Sequence, residues 1–536
     1  MRAKTHDEAR RLRIVAAAII TSSLLAAAAQ AAAPGITGIA FNLQAKAAYI
    51  SQPDGASIYS WGYGCSSAPS GYLPGVVGGA TCPDMQLPGP TLIVNQGATV
   101  TVTLTNNLPA QAGNTSMLFP GFEVATAGGV DGLLTKEAQP GGGTVTYTFT
   151  ANTPGTHAYY SGTQSDLQVE MGLYGAVIVV PTLSPAVVTA CNGGSNHSND
   201  QARAHDFGQG VEQDFRLAKA AYDHSATCYD REYLFQLSEI DPRIHTAVEA
   251  IVTCTPATNG GGACPANMNS VATEEYHPIY FLVNGRSMPD DMDPNYSVQY
   301  PHQPYNGNPH MHPGEVTLLR IIGQGRWQHP LHEHGNHVRL LARDGNLLVA
   351  PNVLQGESEP RLAGPLLFTT TTTPGQAMDG IFYWTGKGLN WDVFGHGYVG
   401  DTSVCIPDAN GYYTQDPTAQ NYYEWCGDHN KPLEAHPFGN VGNGGPMTLP
   451  DPNILANGAW YGGSPYLGGE ATARAIGSTP IPPSGTIAND PGGEAGFAFM
   501  WHSHNEREIT TNNIFPGGMM MMMLVDPRAY LIDESK

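Results

Sequence analysis

The chain has 536 residues, of which only 13% are charged, and a formal net charge of −22. That acidic balance argues against nucleic acid as a partner, and beyond the first 33 residues no segment is apolar enough to span a membrane. Gly, Pro, Thr and Tyr are abundant while Lys and Glu are sparse, which points to strands joined by turns and to an all-β chain.

Residues 1–33 begin with a basic stretch, continue through an apolar run from Ile14, and end in small residues closing on Ala-Gln-Ala. This is the pattern of a secretory signal peptide cut near Ala31 or Ala33, so export to the periplasm, cell surface or medium is expected. Arg10-Arg11 leave both the general and the twin-arginine route open. The mature chain of roughly 500 residues is too long for one core, so two or three domains are expected.

A first domain is expected over 35–181, where PTLIVNQGATVTVTLTNNL and GGTVTYTFTA alternate apolar and polar residues between Gly and Asn turns. Residues 182–227 read as a linker with one short helix at QDFRLAKAAYD. A second domain, 228–530, carries the strand-like runs EYLFQLSEID, YFLVNG, EVTLLRIIG and HVRLLARDGN and closes on MMMMMLVDP. It is interrupted at about 386–490 by an irregular insertion rich in Gly, Asn, Pro and Tyr. TTTTTP at 369–374 reads as an edge strand, threonine being β-branched.

Eight cysteines fall into four sequential neighbours, Cys65 with Cys82, Cys191 with Cys228, Cys254 with Cys264 and Cys405 with Cys426. An even count in an exported chain favours four local disulfides over metal thiolates.

Histidine motifs carry the chemistry. GPTLIVNQGATVTVTLTNNLP, GTHAYYSGTQSDLQVEMGLYGAVIVVP, HPLHEHGNH and FMWHSHNE followed by GGMM occur in an order and spacing that resemble the multicopper oxidases. The resemblance covers most of 35–181 and 230–530 and implies tandem cupredoxin-like Greek-key β-sandwich domains. Family members draw on four such motifs for eight histidines around a trinuclear copper cluster. A separate electron-accepting copper takes two histidines, a cysteine and usually a methionine. Thiolate and thioether tune that copper for electron transfer, and imidazoles cage the coppers that meet dioxygen.

Against that pattern this chain is incomplete. Leu118 and Pro120 stand at the first pair of ligand positions, Tyr160 and Gly162 at the second, and His157 is on a register facing away from Tyr160. HPLHEHG keeps His329, His332 and His334, with Glu333 on the other strand face. WHSHNE keeps His502 and His504 but has Ser503 at the cysteine position and Glu508 at the partner histidine, so no blue thiolate site is expected.

Because strand side chains alternate, each HxH puts both imidazoles on one face. His332, His334, His502 and His504 are therefore expected to line one cavity, with Glu506 or Glu508 near its mouth, and His329 is a weaker fifth candidate. Copper is the cofactor the resemblance implies; Zn, or with a carboxylate Fe or Mn, is an alternative, and buried hydrogen-bonded imidazoles without metal are the bland one. Met519, Met521 and Met523 would share one face, as core or as a soft copper site, with core favoured. His310 and His312 in PHMHPGE, and Asp290-Asp291, read as surface turns, while His337 stays open between cluster and solvent.

Two functions remain open: a metal-dependent oxidoreductase with a rebuilt thiolate-free site, or a non-catalytic metal-binding or scaffold protein. A homo-oligomer that completes the ligand set across subunits is compatible with either.

Overall fold

The structure, a computed structural model, describes residues 33–73, 81–191, 196–197, 201–202, 214–387, 406–415, 423, 425, 427, 463–467, 495–526 and 532–534. The expected signal segment, most of the 386–490 insertion and the Cys405–Cys426 pairing lie outside these residues. The other three pairings, Cys65–Cys82, Cys191–Cys228 and Cys254–Cys264, are disulfides.

Four sheets of five or more strands dominate, and they stack in pairs. In the first pair, Thr99–Asn106 and Thr144–Thr150 alternate buried apolar residues with outward threonines. They pair residue for residue, Val102 opposite Tyr147 and Leu104 opposite Val145. Their buried side chains meet Leu92, Val94, Val177 and Val179 of the facing sheet around Trp61.

In the second pair, a seven-stranded sheet has Val316–Gly323 between Arg231–Ile240 and Ala377–Tyr383. It faces a six-stranded sheet ordered His310–Met311, Met520–Val525, Ala495–Ser503, His329–Glu333 and Thr369–Thr372. Phe235, Leu319 and Phe382 from one side interlock with Leu331, Trp501, Met519, Met521 and Met523 from the other. The odd-numbered methionines are therefore core, as favoured. Thr369–Thr372 is the edge strand its sequence suggests.

The two sandwiches meet back to back. Ile93, Ala158, Ala176 and Ile178 of the first pack on Leu234, Ile322 and Ala377 of the second. Buried among them, Asp379 accepts from Thr156 N at 3.1 Å, Thr156 Oγ1 at 2.5 Å and Tyr222 Oη at 2.5 Å.

Three expectations fail locally. No helix forms among the described residues of 213–223, because tertiary partners take its backbone donors. Leu217 N bonds to the Glu232 carboxylate, Ala218 N to Tyr229 Oη and Tyr222 N to Thr227 Oγ1. Instead Pro242–Val252 is helical, capped by Asp241 through Arg243 N and burying Ile244, His245, Val248 and Ile251. His310, His312 and Asp291 are buried, not on surface turns. His310 joins a strand beside Met520–Val525 and its Nδ1 lies 2.6 Å from the Asp526 carboxylate. Asp291 lies in the short 3-10 turn Asp290–Met292, and Gly307 N donates to its carbonyl at 2.7 Å.

Candidate metal centre

Strand register decides which side chains meet. His329–Glu333 runs antiparallel to Ala495–Ser503, with His332 opposite His502, Leu331 opposite Ser503 and Glu333 opposite Trp501. Directly opposed residues share a face. His332 and His502 therefore project together from the outer face, while Leu331, Trp501 and Ser503 turn into the sandwich.

His334 follows in the turn, its carbonyl held by Trp501 Nε1 at 3.0 Å, and its Nε2 lies 3.2 Å from His502 Nε2. One ring nitrogen from each of His332, His334 and His502 lies within 4.8 Å of the other two. Metal–nitrogen bonds near 2.0–2.1 Å in a tetrahedral site set two donors about 3.3 Å apart, so the His334–His502 pair already has the spacing of one coordination edge. Three imidazoles with no thiolate suit Cu(II) or Zn(II) but not a blue copper site.

His504 lies on the solvent side, its ring 4.8 Å from that of His332 and its side chain 49% exposed. Glu506, still more exposed, has a carboxylate oxygen 3.8 Å from His504 Nδ1. Beside them Phe368, 54% exposed, packs edge-on against both His332 and the half-buried His337. The three clustered histidines are thus buried, and the exposed His504 and Phe368 flank His332 on its solvent side.

Burial pushes His332 down to about 4, helped by the neighbouring His334, His502 and His504, and burial also lowers His502. Both rings are neutral at pH 7, the form that binds metal. Thr369 Oγ1 sits 2.8 Å from His332 Nδ1 and fixes the ring, an outer contact that the sequence did not single out.

His329, the fifth candidate, lies on the opposite strand face and is not brought to the cluster. Its Nε2 is 2.8 Å from Glu239 Oε2 and its Nδ1 2.9 Å from Glu508 Oε2, all three groups buried. Burial opposes its charge, but the hydrogen bonds and charges of the two carboxylates outweigh that and raise it to about 9. Glu508, expected near the mouth, is fully buried on this inner side, where it accepts from Ser503 Oγ at 2.5 Å. Alternation explains the correction: Ser503 points inward between two outward histidines, and Glu508 joins it there. Glu239, which completes the group, was legible only as an acid inside the apolar run EYLFQLSEID.

The amino-terminal positions are filled with other groups. Leu118 pairs with Tyr160, the Leu118 N donating to the Tyr160 carbonyl at 2.7 Å. A Cβ placed on Gly162 would lie 2.8 Å from Leu118 Cγ. His157 is buried with its Nε2 3.0 Å from the Thr153 carbonyl, away from any ligand position.

Residues 75–184 match the family model described as "Multicopper oxidase". A laccase, abr2 of Aspergillus fumigatus, is 38% identical over 99 residues, which is 18% of this chain and 16% of the laccase's own length. Among solved structures, the multicopper oxidase mgLAC is similar with a TM-score of 0.42 and 15% identity over 92% of this chain and 87% of that one. The blue copper oxidase from Nitrosomonas europaea gives 0.41 and 15% over 90% and 85%. The protein is a divergent, cupredoxin-fold relative of the multicopper oxidases with an incomplete copper-ligand set.

Proposed function

We propose that the protein is an exported metal-dependent oxidoreductase whose copper is held by His332, His334 and His502, with His504 at the solvent side. The observation that carries this reading is the convergence of three ring nitrogens within 4.8 Å beside the half-exposed His504. Two neutral imidazoles at pH 7 and a coordination-edge spacing of 3.2 Å support it. Export is supported by three disulfides, which persist in oxidising compartments. We further propose the two sandwiches, 35–181 and 228–530, as separate cupredoxin-like domains.

Copper held this way supplies a one-electron redox centre without a thiolate relay. The residues' own tasks are to hold it, to keep it from the inner face, and to leave one side for a substrate between His504 and Phe368. Copper analysis, the visible spectrum and oxygen consumption with phenolic, Fe(II) and Mn(II) donors test the proposal. Stoichiometric copper without an intense blue band, lost on replacing His332, His334 and His502 with Ala, is expected together with turnover of at least one donor. Bound copper without turnover of any donor would favour the second reading, a metal-binding or scaffold protein. Absence of stoichiometric metal would overturn the site.

A further inference from the structure

On the inner face of the histidine strands lies a chain of hydrogen bonds with no counterpart among the proposed ligands. Ser503 Oγ donates to Glu508 Oε2 at 2.5 Å, and the same oxygen lies 2.9 Å from His329 Nδ1. His329 Nε2 reaches Glu239 Oε2 at 2.8 Å, and Glu239 Oε1 accepts from Tyr276 Oη at 3.0 Å. Glu508 Oε1 accepts from Asn505 Nδ2 at 2.9 Å, and Asn505 N donates to Ser503 Oγ at 3.1 Å.

Three pieces of backbone are joined by this chain. Ser503 belongs to the strand carrying His502, His329 to the strand carrying His332, and Glu239 to Arg231–Ile240 of the facing sheet. Backbone bonds reinforce it, since Met519 N donates to the Glu508 carbonyl at 2.8 Å and Ser503 N to the Met519 carbonyl at 2.9 Å. The side chains stand where the multicopper oxidase resemblance puts a copper and its thiolate, with Ser503 for the cysteine, Glu508 for a histidine, and His329 retained.

We infer that Glu508, through Ser503 and the His329–Glu239 pair, is the positioning residue of the metal site. It is the ionic strut that replaces a metal–thiolate link across the sandwich and sets the separation of His332 from His502 on the outer face. The inference rests on the metal-binding reading above. His332 and His502 are direct cross-strand partners, so a relative shift of the two strands changes the separation of the backbone points from which both rings project. On the inner face the strut ties those strands, at His329 on one and Ser503 on the other. The imidazolium, raised to about 9 by its two carboxylates, keeps the strut charged at neutral pH.

The test uses the full chain titrated with Cu(II) alone against a chromophoric chelator, with EPR spectra and melting curves recorded in parallel. Glu508→Gln and Glu239→Gln are each expected to weaken Cu(II) binding about 10- to 100-fold, the usual range for outer-shell partners, and to alter the copper hyperfine pattern. Ser503→Ala keeps both carboxylate–imidazole contacts, so it folds even where the others do not; a smaller loss with a shifted EPR signature is expected. A lowered melting temperature with wild-type Cu(II) affinity and an unchanged spectrum in all three would overturn the positioning role and leave the metal site standing. Failure of the wild-type chain itself to bind copper would overturn the metal-binding reading.

Discussion

His329 shows how one imidazole changes meaning with its neighbours. In the sequence it is the first histidine of HPLHEHG and a ligand candidate; in the fold both its nitrogens are held by carboxylates. Its proton is bound more tightly folded, near 9, than at the ordinary 6.5. The contribution to stability is therefore complete below about pH 6.5 and is lost as pH rises through about 9. The shift corresponds to on the order of 3 kcal/mol. The melting-temperature gap between wild type and His329→Gln is expected to be wide at pH 6 and to narrow by pH 10. A gap that does not change with pH would contradict the assignment. Glu333 runs the other way. Burial raises it to about 8, and the nearby Thr370 hydroxyl offsets only part of that. It folds protonated, so it costs stability increasingly as pH climbs from about 4.5 to 8. Glu333→Gln is expected to leave stability unchanged at pH 4 and to raise the melting temperature at pH 8.

At the scale of elements, the glycine that closes the histidine motif matters as much as the histidines. Gly335 ends HPLHEHG at φ +102°, and a Cβ there would lie 2.9 Å from the Phe499 ring. Gly335→Ala therefore has to twist the turn that carries His334, at a cost of about 1–3 kcal/mol. It is expected to weaken Cu(II) binding in the same chelator titration and to lower the melting point; unchanged affinity would show that His334 does not depend on this turn. Much of the surrounding architecture is legible in the sequence. Alternation in TVTVTLTN and TVTYTFT, the threonine edge strand, three disulfides and the shared outward face of His332 and His502 all come from period-two patterning and proximity. Where the sequence misleads, tertiary contacts override a local pattern. PHMHPGE looks like a surface turn until Met520–Val525 takes it as a neighbouring strand. QDFRLAKAAYD has helix-forming residues whose amides are claimed by Glu232, Tyr229 and Thr227. The Glu239–His329–Glu508 group cannot be read from the sequence at all, because its members are brought together from positions 239, 329 and 508 by sheet stacking alone.

For the molecule as a whole, a buried carboxylate joins the apolar contact between the sandwiches. Asp379 holds Thr156 from the first sandwich, together with Tyr222, and lies 3.5 Å from Arg320 Nη1. Removing it leaves the buried Thr156 and Tyr222 hydroxyls without that acceptor while Glu232, 2.8 Å away, still pairs with Arg320, so Asp379→Ala is expected to cost about 1–3 kcal/mol, seen as a lower urea midpoint. A midpoint within experimental error of wild type would mean that the apolar contacts around Ile178 and Ile322 suffice. The first sandwich also bears on what could be rebuilt. Leu118 fills the space beside Gly162, to which a single added carbon would come within 2.8 Å. A histidine put back at 162 alone collides with it, and one put back at 118 alone faces a glycine. Positions 118 and 162 are thus coupled: an imidazole at either one requires the other to change with it, and Pro120 and Tyr160 would still have to be replaced before the amino-terminal half of a cage existed.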